Sequence, residues 1–77
     1  MKFASVKTIL LAAQENMQHG VIKTHHNAVC FSFVNGDSGE DYVIGYNSDT
    51  EAISILGKAC NSYIDCDAIE TIEVYNQ

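Results

Sequence analysis

The sequence predicts an α+β fold: one small domain over residues 1–77 in the order α-β-β-α-β. Two helices pack on one face of a three- or four-stranded, mainly antiparallel sheet. Three observations predict this. Apolar residues recur at helical spacing near the N-terminus, β-branched and aromatic runs fill the middle and the C-terminus, and a helix-start signature lies between them. The chain has 77 residues, and at this size folding buries only about 60% of the surface that the extended chain exposes. Hydrophobic residues are 47% of the total, enough for a core and too many for a disordered chain.

The first helix is predicted over residues 5–19. Val6, Ile9, Leu10, Ala13 and Met17 share one face. Ser5 is placed to cap its start and Gly20 to end it in the left-handed conformation, with His19 in the last turn. A strand zone follows. Val21 to Thr24 is β-prone, and Ala28 to Val34 alternates with Val29, Phe31 and Phe33 on one side. Residues 21–34 read either as one bent strand or as two short ones. The stretch Asn35 to Glu40 has turn chemistry throughout, so Asp41 to Tyr46 returns as the second arm of a hairpin.

The second helix is predicted from a capping box, Ser48-Asp49-Thr50-Glu51, in which the serine and glutamate side chains satisfy each other's amides. Ala52, Ile55, Leu56, Ala59 and Tyr63 then fall on one face. Gly57 inside the helix costs about 1 kcal/mol against alanine and marks a close contact with the sheet. Asp65 to Asp67 reads as a turn. Ile69 to Tyr75 reads as the last strand, with Glu70, Ile72 and Val74 on one side and Ile69, Thr71, Glu73 and Tyr75 on the other. The right-handed connection places it antiparallel beside the first strand. If Phe31 and Phe33 face the helices, Cys30 and Ser32 face outward on an open sheet face.

Charge is the most distinctive feature. Ten acids against four lysines leave a net −6, and there is no arginine, proline or tryptophan. Direct nucleic-acid binding and docking on an anionic membrane both want the opposite sign. The balance is also uneven. Residues 1–34 hold Lys2, Lys7 and Lys23 against Glu15, a net +2, whereas residues 35–77 hold nine acids against Lys58, a net −8. Asp37, Glu40, Asp41, Asp49, Glu51, Asp65 and Asp67 lie in loops and at element starts, where they can form one negative region. Such a region attracts basic surfaces, although acids at helix starts and turns also serve local structure and solubility.

The residues that carry chemistry do not converge in the pattern. On an extended strand His26 and Cys30 share a face but sit about 13 Å apart, beyond the reach of a thiol–imidazole pair. Cys30, Cys60 and Cys66 show no zinc spacing, and their odd number suits reduced thiols better than a disulfide framework. The pairs Asp65/Asp67 and Glu70/Glu73 have no cleft to flank in so small a domain. No calcium loop and no phosphate-binding glycine loop is present. No catalytic residue, metal or cofactor is expected. The apolar run Ile9 to Ala13 is too short for a signal peptide or a membrane span, so the expected location is the cytoplasm.

In length, in its acidic half from Asp37 to Glu73 and in its lack of a catalytic constellation, the chain resembles the small acidic inhibitors that phages encode against host defences, such as anti-CRISPR proteins. That resemblance implies stoichiometric binding to a defence complex, at a surface meant for nucleic acid, in the cytoplasm of a bacterial host. It assigns no individual residue. The lysine-bearing first segment departs from a uniformly acidic nucleic-acid mimic.

The expectation is therefore a non-enzymatic protein-binding module, an acidic inhibitor that grips a basic partner surface. Asp37, Glu40, Asp41, Asp49, Glu51, Asp65 and Asp67 supply the charge, and Tyr42 and Tyr46 supply aromatic anchors. A self-associating domain that forms a homodimer through its open sheet face or an edge strand is the alternative. A small metal or thiol enzyme is a third.

Overall fold

The computed structural model describes residues 1–34, 43–57 and 61–76. Among these, one helix is followed by six strands: α1 Phe3–Glu15, β1 His19–Thr24, β2 Ala28–Ser32, β3 Val43–Asn47, β4 Ala52–Leu56, β5 Asn61–Asp65, a 3-10 turn at Cys66–Ala68, and β6 Ile69–Tyr75. The strands form two three-stranded antiparallel sheets, ordered β2-β1-β6 and β3-β4-β5. The predicted α-β-β-α-β order, with two helices on a single sheet, is therefore incorrect. The second helix does not form, and its place is taken by β4 and β5.

The reason lies in residues 48–56. Asn47 turns the chain by accepting hydrogen bonds from the Asp49 and Thr50 amides at 3.0 and 3.2 Å, an Asx turn. Glu51 closes the loop in the left-handed region, with φ 53°, so it is not the third residue of a helix. The capping-box residues are thus used to reverse a hairpin. Beyond them, Ile53 and Ile55 alternate inward and are fully buried, whereas Leu56 is 47% exposed. A helical reading puts Leu56 inside and leaves Ile53 off the apolar face. Two β-branched residues at a spacing of two favour the strand.

The first helix exists, shifted toward the N-terminus. Val6, Leu10 and Ala13 are its buried stripe. Ser5 lies within it, and the N-cap position falls to Lys2, whose side chain makes no capping bond. Its end is a Schellman arrangement. The Gln18 amide donates to the Ala13 carbonyl at 2.9 Å and the Met17 amide to the Gln14 carbonyl at 3.2 Å, with Met17 in the left-handed position at φ 54°. Gly20, the predicted terminator, is instead buried in β1. A Cβ there would run into the Glu73 carbonyl oxygen and stand 2.9 Å from Cζ of Phe31. His19 accordingly sits on a strand.

Residues 21–34 form two strands, which pair with each other and not with residues 43–47. The hairpin expected between Ala28–Val34 and Asp41–Tyr46 is thus divided between the two sheets. Its loop, Asn35 to Glu40, lies outside the described residues. The last strand pairs antiparallel with β1, as the connection rule suggested. Lys23 pairs with Thr71 but Thr24 pairs with Ile69, so Glu70 is an extra residue, a β-bulge. The bulge reverses the alternation and turns Ile69 into the core, where it is 3% exposed.

A single apolar cluster joins all three layers: Val6, Leu10 and Ala13 from the helix, Ile22, Phe31 and Ile69 from one sheet, and Ile53, Ile55 and Ile64 from the other, with Cys66 at the joint. No helix among the described residues is long and apolar enough to cross a membrane.

Candidate functional site

Two loops meet at the joint between the sheets. The Cys66 amide donates to the Glu51 carbonyl at 3.0 Å, which holds the β3–β4 turn against the end of β5. Asp49 and Glu51 lie on the first loop, and Asp65 and Asp67 flank the second; all four are exposed. None of them makes an ion pair among the described residues, where the pairs are Lys23–Glu73 at 2.6 Å and His25–Glu70 at 3.5 Å. The fold thus brings together Glu51, Asp65 and Asp67 of the seven acids singled out from the sequence, with Asp49 on the same turn as Glu51. Asp37, Glu40, Asp41 and Tyr42 lie outside the described residues.

Cys66 registers this grouping. Burial pushes its thiol upward; the N-terminal ammonium opposes that, and the Asp67, Glu51 and Asp65 carboxylates reinforce it. The same ammonium donates to the carbonyls of Cys66 and Ile69 at 2.9 and 2.8 Å. Cys66 is therefore a core residue with suppressed nucleophilicity. Cys30 is exposed, and Cys60 lies outside the described residues.

Tyr46 is not presented as an anchor. Its ring packs edge-on against Phe3 at 6.5 Å, and Lys7 Nζ stands 5.6 Å from its centroid. Its hydroxyl is removed from solvent with no hydrogen-bond partner among the described residues, and burial raises its pKa. The exposed aromatic of this sheet is Tyr63, 62% accessible, whose hydroxyl lies 3.0 Å from Thr50 Oγ1. Reading residues 52–63 as a helix hid it. The alternation Ser62, Ile64 against Tyr63, Asp65 was the signal available.

Beside the acidic end runs an open groove of about 360 Å³. One wall is the β1–β2 hairpin, through Thr24, His26, Asn27 and Val29; the other is β5, through Ser62 to Asp65, with Ala68 at the end. The hairpin wall is held in shape by Thr24. Its Oγ1 accepts from the His26 and Asn27 amides at 3.3 and 3.1 Å, and lies 2.7 Å from Asn27 Oδ1. Among the described residues lining the groove, Asp65 supplies a carboxylate.

On the far sheet, the outer face of β2-β1-β6 carries a compact polar network. Lys23 pairs with Glu73, the Tyr75 hydroxyl donates to the same carboxylate, and the His19 ring lies 5.6 Å from that of Tyr75. The Lys23 hydrogen bond, followed by that of Tyr75, holds the Glu73 carboxyl below its usual value; Glu73 in turn raises both partners. Cys30 faces outward, as anticipated from Phe31 and Phe33 facing inward.

Among the described residues no three His, Cys, Asp or Glu side chains lie together in a way that would hold a metal ion. No protein-family model matches the chain, no curated protein is similar to it in sequence, and no solved structure matches its fold.

Proposed function

We propose that the protein is a non-enzymatic binding module that offers its acidic end to a basic partner surface. One observation carries the reading: the Cys66–Glu51 backbone bond sets two acidic loops side by side, with no cation paired to them among the described residues. Carboxylates placed together repel one another in the isolated protein, and a positive partner relieves that cost while steering encounter. An inhibitor that occupies a surface normally holding nucleic acid is one protein of this kind.

The test compares two variants with equal charge. D65N/D67N and E15Q/E70Q each take the formal net charge from −6 to −4. Titrated with an arginine-rich peptide at low salt, the first pair is expected to weaken binding by about threefold more than the second. Equal losses mean that net charge alone is at work and remove the reading.

Self-association has its own supporting observation. Val43, Leu56 and Tyr63 lie on the outer face of β3-β4-β5, Val43 directly opposite Leu56, and are 63, 47 and 62% exposed. Sedimentation at micromolar concentration decides it, since a monomer excludes a dimer built on that face.

A further inference from the structure

We propose that the groove between β5 and the β1–β2 hairpin receives an extended segment of the partner, which adds as a strand beside β5 and sets arginine or lysine side chains against Tyr63 and Asp65. β5 ends the order β3-β4-β5, so among the described residues no strand pairs with its outer side. Half the backbone N–H and C=O groups of such an edge point away from the sheet and are open to a partner strand. Four consecutive residues of β5 line the groove. A cavity resting on one face of a strand meets every second residue; one that meets all of them runs along the strand's edge. The hairpin supplies the opposite wall, so an incoming strand is enclosed on two sides.

The side chains then define the sequence that fits. Tyr63 and Asp65 project to one face of the sheet and Ile64 to the other, where it is buried. A strand paired with β5 places alternate residues beside Tyr63 and Asp65. Guanidinium groups suit both positions, one over the exposed ring and one on the carboxylate. The residue between them faces Ile64, with Val29 across the groove, and is apolar. The recognised pattern is therefore basic–apolar–basic in an extended chain. A volume of about 360 Å³ lies near the low end of small-ligand pockets, roughly 300–1,000 Å³. It suits a few residues of chain. Another cavity, of about 340 Å³ over Ala4, Ser5, Thr8 and Ile9, is lined by neither a strand edge nor a charged side chain. The choice of basic side chains rests on the acidic-end reading; the strand addition does not.

The experiment titrates the full chain with a capped pentapeptide, Thr-Arg-Val-Arg-Thr, followed by amide hydrogen exchange. Binding is expected to slow exchange within Asn61–Asp65 and to leave β3 and β6 unchanged. A peptide N-methylated at alternate amides keeps its charge but cannot pair, and is expected to bind about tenfold more weakly. Equal affinity of the two peptides, protection confined to another edge, or no binding overturns the proposal. Replacing both arginines by glutamine separates the two readings. If that peptide still binds and protects β5, strand addition stands and the acidic reading falls. If it fails while N-methylation has no effect, charge recognition stands and strand addition falls.

Discussion

The two sheets share size, strand number and antiparallel pairing, yet they treat their outer faces differently. On β2-β1-β6 the outward residues satisfy one another: lysine to glutamate, tyrosine to the same glutamate, histidine against tyrosine. On β3-β4-β5 the outward residues include the exposed Val43, Leu56 and Tyr63, and the adjoining turns carry carboxylates that pair with no cation among the described residues. A face whose polar groups are mutually satisfied gains little from association, whereas one with apolar area and unpaired charge has both driving forces available.

The largest effect should come from the inner residues of the second sheet. Ile53→Ala empties a fully buried site and is expected to cost about 3 kcal/mol. Leu56→Ala, three residues along on the outer face, should stay within about 0.5 kcal/mol. Urea denaturation of the two variants checks this; a reversed order would restore the helix over residues 52–63 and dissolve the second sheet.

Glycine sharpens the contrast next. At Gly20, the centre of the first sheet, a methyl group meets a backbone carbonyl that cannot move aside, so Gly20→Ala should cost about 2–3 kcal/mol. At Gly45, on the edge strand of the second sheet, the methyl meets only Ser54 Oγ at 2.7 Å, a side chain free to rotate. Gly45→Ala should change stability by less than about 1 kcal/mol, because relief of glycine's entropic cost offsets the crowding. Thermal melts of both separate packed backbone from adaptable side chain.

Tyr46→Phe comes third. Removing a buried hydroxyl that has no partner among the described residues should stabilise the protein by about 1 kcal/mol. A loss of that size would mean that the hydroxyl is satisfied.

The smallest effect concerns the surface network of the first sheet. Glu73 is held below its ordinary value, so its contribution is present above the unfolded glutamate pKa of about 4.3 and fades as pH falls through the lower folded value. Lys23 and Tyr75 are raised. Their contributions are present below their unfolded values and fade as pH climbs through the folded ones. All three groups are solvent-exposed, so the effect is small and salt-sensitive. E73Q should remove the acid limb of this dependence and leave the second sheet untouched, as read by denaturation at pH 3 to 7.

Several features were legible in the residues. The stripe of Val6, Leu10 and Ala13, the inward set of Val29, Phe31 and Phe33 and the strand over Ile69–Tyr75 follow from periodicity, which a short window contains; the turn read at Asp65–Asp67 lies one residue later, at Cys66–Ala68. The acidic grouping was legible as composition and not as geometry. Nothing in the order of residues says that the Cys66 amide reaches the Glu51 carbonyl. Ser48 to Glu51 shows how a local signal misleads: residues suited to a helix start here form the turn that the Asn47 side chain closes, and the choice is made by what lies beyond them.

Local chemistry alone decided the first helix, the strand character of the β-branched runs, the excess of negative charge and its concentration after residue 34. These depend on neighbours within a few positions. Long-range packing decided the rest: that Ile53 and Ile55 complete a core with Leu10 and Phe31, that Gly20 lies beneath a foreign carbonyl, that a bulge at Glu70 turns Ile69 inward, and that β5 ends its sheet, among the described residues, beside the carboxylates. Each of these is a contact between distant segments, and its free energy exists only once both surfaces have left water together.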